Sequence, residues 1–202
     1  MNTALQPFAP LIRDWFTRLG EPTDVQAQAW PAIMAGKHLL ISAPTGSGKT
    51  LTAFLWSLNQ FLTGVLKPGA TRVLYISPLK ALNNDVRRNL LKALTELSEL
   101  AAAQGIDMPE VRVQTRSGDT DQTDRRRMLR HPPEILITTP ESLNLLLSSQ
   151  GGQSILRNIE TVILDEIHNV IPNKRGAYLM SAVERLVPLS GEFQRIALSA
   201  TV

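Results

Sequence analysis

The chain has 202 residues, 43% of them apolar, which is enough for one domain with a buried core. Its 21 basic and 18 acidic residues leave a charge of +3, a mild excess that suits contact with phosphates and equally suits a solvated surface. The absence of cysteine excludes disulfides, thiolate zinc sites and a cysteine nucleophile, and His38, His131 and His168 lack the spacing that would clamp a metal on one helical face.

In chain order, Met1 to Phe8 carries neither a basic start nor an apolar run, so no secretory signal is expected. No stretch approaches the roughly 18 apolar residues of a membrane span, and a cytoplasmic protein is expected. Helices are predicted over 11–19 and 25–35, where Leu11, Ile12, Trp15, Phe16 and Leu19 fall at helical spacing and read as packing residues rather than stacking platforms. Six short apolar strands then alternate with helices. Strands are predicted over 38–42, 72–77, 111–115, 134–138, 161–165 and 195–199, and helices over 49–63, 81–103, 121–130, 141–148 and 177–187. Several strands are nearly continuous Ile, Leu and Val, as expected when helices cover both faces of a parallel sheet. Breakers, among them Pro68-Gly69, Pro132-Pro133 and Gly151-Gly152, separate the elements. The pattern specifies an α/β parallel sheet, whose ligands bind at the carboxyl ends of the strands.

Ala43-Pro44-Thr45-Gly46-Ser47-Gly48-Lys49-Thr50 follows the first strand and opens a helix. Glycines there let backbone N–H groups and the helix N-terminus face phosphates. Lys49 is placed to reach the β- and γ-phosphates, and the Thr50 hydroxyl to take a position on Mg²⁺. Ala43 replaces the first glycine of the strict pattern, at little cost if its torsions are ordinary.

The strand Thr161-Val162-Ile163-Leu164 runs straight into Asp165-Glu166-Ile167-His168. Two carboxylates at a strand end beside a phosphate loop divide the labour: Asp165 holds Mg²⁺, and Glu166 orients and deprotonates the attacking water. His168 is open to two readings, a link from nucleotide state to the rest of the protein or the cap of a turn. A guanine-reading Asn-Lys-x-Asp run is missing, since Asn173-Lys174-Arg175-Gly176 lacks the Asp.

Further segments narrow the class. Pro22-Thr23-Asp24-Val25-Gln26 precedes the loop, and a Gln amide can pair with adenine N6 and N7. Phe8 can stack on the adenine or belong to the core. Ser77-Pro78-Leu79-Lys80-Ala81-Leu82, Arg116-Ser117-Gly118-Asp119-Thr120, Thr138-Thr139-Pro140-Glu141-Ser142-Leu143 and Ser199-Ala200-Thr201 complete an ordered set. Arg125-Arg126-Arg127 with Arg130 spreads around its helix and reads as a solvated face.

This ordered set resembles superfamily 2 helicases of the DEAD/DEAH-box kind over almost the whole chain. The wording of 76–82, 138–143 and 198–202 is similar to the large helicase-related (Lhr) proteins. The resemblance implies a RecA-like P-loop NTPase fold, an α/β three-layer sandwich with a mainly parallel central sheet. It implies that residues 1–202 are a helicase ATP-binding domain, and that a second RecA-like domain, the source of arginine fingers, is absent from the chain.

With that resemblance come ATP and Mg²⁺ as cofactors and a residue-by-residue assignment. Thr23 and Gln26 select adenine, while Thr45, Gly46, Ser47, Gly48, Lys49 and Thr50 bind the phosphates. Thr50 and Asp165 hold the metal, and Lys49, Asp165 and Glu166 carry catalysis. His168, Ser199 and Thr201 relay hydrolysis to strand handling. Pro78 and Lys80, then Gly118, Asp119 and Thr120, then Thr139, Pro140, Glu141 and Ser142 grip a single strand through its phosphates. Small hydroxyls, backbone N–H groups and a helix N-terminus after Pro140 suit such sequence-independent contacts. His168 in place of the last Asp of the strict DEAD pattern favours the DNA-active relatives over RNA-only ones. The expectation is a monomeric ATP-dependent helicase or translocase acting on single-stranded nucleic acid. The competing reading, a non-motor ATP-binding switch or scaffold subunit, shares the phosphate loop but does not need Gln26 together with the nucleic-acid segments.

Overall fold

The computed structural model describes residues 3–200. Two helices, α1 (Pro10–Leu19) and α2 (Asp24–Met34), lead into β1 (Leu39–Ser42) and α3 (Lys49–Leu62). Next come β2 (Val73–Ile76), α4 (Lys80–Ala103), β3 (Val113–Arg116), α5 (Gln122–Arg130), β4 (Ile135–Thr138), α6 (Pro140–Leu147) and α7 (Gln150–Ile155). The chain closes with β5 (Thr161–Leu164), α8 (Lys174–Glu184), α9 (Val187–Ser190) and β6 (Gln194–Ser199). The strands form one six-stranded sheet in the order β1-β6-β5-β2-β4-β3, parallel throughout.

Alternation along each strand explains the three layers. Val73 and Tyr75, Ile135 and Ile137, and Ile163 face a core shared with α1 to α4. Their neighbours Leu74, Ile76, Leu136, Val162 and Leu164 face a second core built on α6 to α8. Because a strand side chain reverses face at every residue, an unbroken apolar run is what a sheet covered on both sides requires.

The first core is rich in aromatic rings. Phe8 is 2% exposed and meets Trp30 edge-on at 5.0 Å and Trp56 at 5.6 Å, so the structure places it in the core. Trp15 and Phe16 are buried in the same cluster, as their spacing predicted.

Two local differences have physical causes. Gly151-Gly152, expected to break the chain, lies inside α7, which starts when the Ser149 hydroxyl accepts from the Gly152 N–H at 3.1 Å. A side chain at Gly152 would bring Cβ within 2.2 Å of the Leu146 carbonyl, so glycine serves close packing against α6 here and not chain breaking. The helix expected from Ala177 begins three residues earlier, because the Asn173 side chain accepts from the Arg175 N–H and caps it.

A half-buried ion pair braces the sheet. Glu134, fully buried at the start of β4, takes Arg112 in a fork at 2.8 and 3.1 Å and also accepts from the Gly69 N–H. Burial alone would raise its pKa, but these donors hold it below the ordinary carboxylate value.

Candidate nucleotide site and nucleic-acid face

Sheet order sorts the sequence-predicted residues into two groups along one edge. The phosphate loop follows β1, Asp165 and Glu166 follow β5, and Ser199 ends β6, and these three strands are adjacent. Pro78–Lys80 follows β2, Thr139–Ser142 follows β4 and Gly118–Thr120 follows β3, and these strands are adjacent as well.

In the first group, the loop turns through Gly46 at φ 84° and Gly48 at φ 83°, conformations that favour glycine. Gly48 is needed twice over, since a Cβ there would sit 2.7 Å from the Gln26 side-chain nitrogen. Thr23 and Gln26 form a capping box at the start of α2. The Gln26 N–H donates to the Thr23 hydroxyl, and the Gln26 side-chain oxygen accepts from the Thr23 N–H at 2.9 Å. The Thr23 hydroxyl in turn donates to the Ser47 carbonyl at 3.0 Å. The start of α2 is therefore braced against the phosphate loop. Gln26 is 3% exposed, and the cap bond occupies one of the two lone pairs of its side-chain oxygen.

Lys49 folds back onto its own loop, donating to the Ala43 and Pro44 carbonyls, the latter at 2.8 Å. The Ser47 hydroxyl is buried without a hydrogen-bond partner, a polar group of the kind a ligand satisfies. Asp165, 3% exposed, accepts from the Tyr75 hydroxyl on one oxygen and from the Glu166 N–H on the other at 2.8 Å. Burial raises its pKa above the ordinary aspartate value, and the two donors only partly offset this. Burial, reinforced by the Asp165 charge, drives the Tyr75 phenol far upward, so it stays protonated and donates.

Glu166 is the one described non-glycine residue with positive φ, 53°, and such backbone strain at a site is kept when surrounding contacts enforce it. Its backbone N–H donates to the Asp165 carboxylate at 2.8 Å and its carbonyl accepts from the Asn169 N–H at 2.9 Å, while its side chain meets His168. The His168 Nδ1 lies 3.4 Å from the Ala200 N–H and 3.2 Å from the Ser199 hydroxyl. A backbone N–H can only donate, so Nδ1 is the acceptor and Nε2 carries the proton that meets the Glu166 carboxylate at 3.0 Å. His168 thus links the β5 acid to the end of β6. Thr201, assigned to the same relay, lies outside the described residues. A cavity of about 450 Å³ is lined by Thr45, Lys49, Asp165 and Glu166 together with Trp15 and Phe54.

The second group is built differently. Thr139, Pro140 and Ser142 are buried, and the Thr139 hydroxyl caps α6 by accepting from the Ser142 N–H, which leaves Glu141 exposed. Lys80 donates to both oxygens of Asp119 at 2.8 and 2.9 Å. The Gly118 loop is held from below. Its Ser117 N–H donates to the Thr120 hydroxyl at 2.9 Å, and Arg125 donates to the Gly118 carbonyl at 2.8 Å. Arg125 therefore departs from the solvated face expected for its arginine run.

Sequence reasoning missed Tyr75 and Arg175. A tyrosine inside a fully apolar strand was the available signal for Tyr75, because a buried hydroxyl must find a partner. Arg175 bridges Glu141 at 2.9 Å and the Pro78 carbonyl at 3.4 Å, and no local pattern pointed to it. Among the described residues, no group of three or more acids or histidines could cage a metal by itself. Among them also, no helix is long and apolar enough to cross a membrane.

Comparison with known proteins agrees with this geometry. Residues 23–202 match the DEAD/DEAH box helicase family, and the chain belongs to it. It is 49% identical over 198 residues to the Lhr helicase/probable uracil glycosylase of Mycolicibacterium smegmatis, covering 96% of this chain and 13% of that protein. It is 46% identical over 196 residues to ATP-dependent helicase Lhr-Core protein 2 of Thermococcus barophilus, covering 95% of this chain and 23% of the relative. The solved structure of the Mycobacterium smegmatis helicase Lhr bound to ssDNA and AMP-PNP superposes with a TM-score of 0.93 at 49% identity, over 98% of this chain and 25% of that one. The chain thus spans a quarter or less of the length of these relatives, and its fold is that of a RecA-like helicase domain.

Proposed function

We propose that the chain is the ATP-binding motor domain of an ATP-dependent helicase or translocase acting on single-stranded nucleic acid, DNA in particular. The carrying observation is the sheet order. It puts the phosphate loop and acids on β1-β6-β5 and the candidate strand loops on β2-β4-β3 along the same edge, with His168 and Ser199 bridging two of the strands. The DNA assignment leans on the likeness to the Lhr structure solved with ssDNA and AMP-PNP.

In this reading Thr45 to Lys49 hold the phosphates, and Thr23 and Gln26 brace the base end. Thr50 and Asp165 offer the hard oxygen donors that Mg²⁺ takes together with nucleotide phosphates, and a bound cation stabilises a carboxylate that burial disfavours. The metal supplies charge neutralisation at the phosphates. Glu166 orients a water and accepts its proton. Pro78–Lys80, Gly118–Thr120 and the start of α6 contact strand phosphates through backbone N–H groups and the exposed Lys80 ammonium. In this reading an arginine finger comes from a second domain, and an ATP-binding domain tested without one hydrolyses ATP about 10³–10⁵-fold more slowly.

Nucleotide binding and turnover in Lys49→Ala and Glu166→Gln test the assignment. Lys49→Ala should lose nucleotide binding, whereas Glu166→Gln should keep binding and lose hydrolysis. Unchanged turnover in Glu166→Gln would refute the base. Robust unwinding by the isolated chain would refute the divided machine. In a polypeptide extended past Val202, ATPase activity indifferent to both DNA and RNA would favour a non-motor switch.

A further inference from the structure

The candidate strand face carries two cations that are both occupied by carboxylates. Lys80 is held by both oxygens of Asp119 at 2.8 and 2.9 Å, and Arg175 is held by Glu141 at 2.8 and 2.9 Å. Both cations belong to one place. Lys80 ends the Pro78–Lys80 loop, and Arg175 hydrogen-bonds the Pro78 carbonyl at its start. Both acids come from neighbouring strand ends, Asp119 after β3 and Glu141 after β4. Side-chain exposures run from 46% to 76% across the two pairs.

From this we propose that Asp119 and Glu141 act as built-in phosphate surrogates. They hold Lys80 and Arg175 in the free protein, and two phosphates of a bound single strand displace them. The inference rests on the strand-binding reading above and adds Arg175 to it as a contact. Its first argument is geometric. Asp119 accepts from one ammonium on both carboxylate oxygens and Glu141 accepts from two guanidinium nitrogens on one oxygen, so both cations already meet anionic acceptor oxygens of the kind a phosphate presents. The second argument is energetic. Exposed ion pairs contribute little to stability, so opening them costs little, whereas each cation transferred to a phosphate releases counterions from the strand. The third is positional. The Asp119 N–H donates to the Ser117 hydroxyl at 3.3 Å and Arg125 fixes the Gly118 carbonyl, so the carboxylate is carried on a braced loop that stays in place when the lysine leaves. Each carboxylate competes with the incoming phosphate for its cation. Asp119 and Glu141 therefore weaken strand binding and make it reversible, which suits a surface that must release and regrip.

The test titrates a fluorescent oligothymidylate into the chain over a series of salt concentrations, comparing wild type with Asp119→Asn, Glu141→Gln, Lys80→Ala and the double variant Lys80→Ala/Asp119→Asn. Asp119→Asn should bind about fivefold more tightly near 0.1 M salt at an unchanged salt slope, because Lys80 meets one strand phosphate, an increment of about 0.7, in both proteins. Glu141→Gln should do the same through Arg175. Lys80→Ala should lose a similar slope increment, and adding Asp119→Asn to it should give no further gain. Unchanged or weaker binding by Asp119→Asn, in a wild type that does bind, would overturn the surrogate role alone. A gain that persists in the double variant would overturn the route through Lys80. A wild type without salt-dependent binding would overturn the strand-binding reading along with it.

Discussion

Under the proposed function, the two halves of the carboxyl edge meet phosphates in opposite ways. On β1-β6-β5, Lys49, Gln26 and Asp165 are buried and already engaged by the loop carbonyls, the Thr23 N–H and the Tyr75 hydroxyl. On β2-β4-β3, the charged side chains are exposed and paired across loops, and the buried hydroxyls of Thr139 and Ser142 serve the α6 cap. A buried, preorganised site keeps its strength because water does not screen it, and it suits a ligand whose charge changes during chemistry. Exposed, exchangeable charges suit a strand that must be held without regard to sequence and let go.

If this contrast is right, changes in the first half should be large and specific. Glu166→Gln should lower hydrolysis about 10²–10⁴-fold at unchanged nucleotide affinity, measured by turnover beside calorimetric titration. Outside both halves, just before β3 and β4, Arg112→Ala should cost about 1–3 kcal/mol of unfolding free energy, because the buried Glu134 carboxylate then keeps only the Gly69 and residue-112 backbone N–H donors. Denaturant unfolding measures this, and the nucleotide affinity of the folded fraction should not change. Tyr75→Phe should cost about 1–2 kcal/mol by removing one donor from Asp165, and nucleotide binding should recover part of that loss if a cation takes over at the carboxylate. A thermal melt with and without ATP·Mg²⁺ reads the difference.

The smallest effects concern pH, and here two carboxylates should move in opposite directions. The folded-state pKa of Glu134 is depressed, so its contribution is present above the unfolded value and is lost as pH falls through the folded one. That of Asp165 is raised, so the free chain is most favoured below the unfolded value and loses that contribution as pH rises through the folded one. Stability measured against pH should show Glu134→Gln removing the acid-side loss. ATP·Mg²⁺ should remove the decline on the other side. A nucleotide-insensitive profile would argue that Asp165 does not meet the metal.

Much of this was legible in the sequence because it rests on short-range chemistry. Strand identity followed from continuous apolar runs, and the phosphate loop and Asp165-Glu166 followed from residues adjacent in the chain. What stayed hidden depends on partners distant in sequence. Tyr75 meets Asp165 across 90 positions, Arg175 meets Pro78 across 97, and Trp15 donates to Glu96 across 81. Gly152 misled for a related reason, since its role is set by the Leu146 carbonyl of a neighbouring helix and not by its own torsions. The pairing of Lys80 with Asp119 likewise became visible only once β3 was known to lie beside β4 and β4 beside β2.

Amide hydrogen exchange with each ligand in turn tests the division of the sheet edge most directly. A non-hydrolysable ATP analogue with Mg²⁺ should protect residues 43–50 and 165–168. An oligothymidylate should protect 78–80, 118–120 and 139–142, with little protection crossing between the two sets. Protection of one and the same set by both ligands would contradict the account.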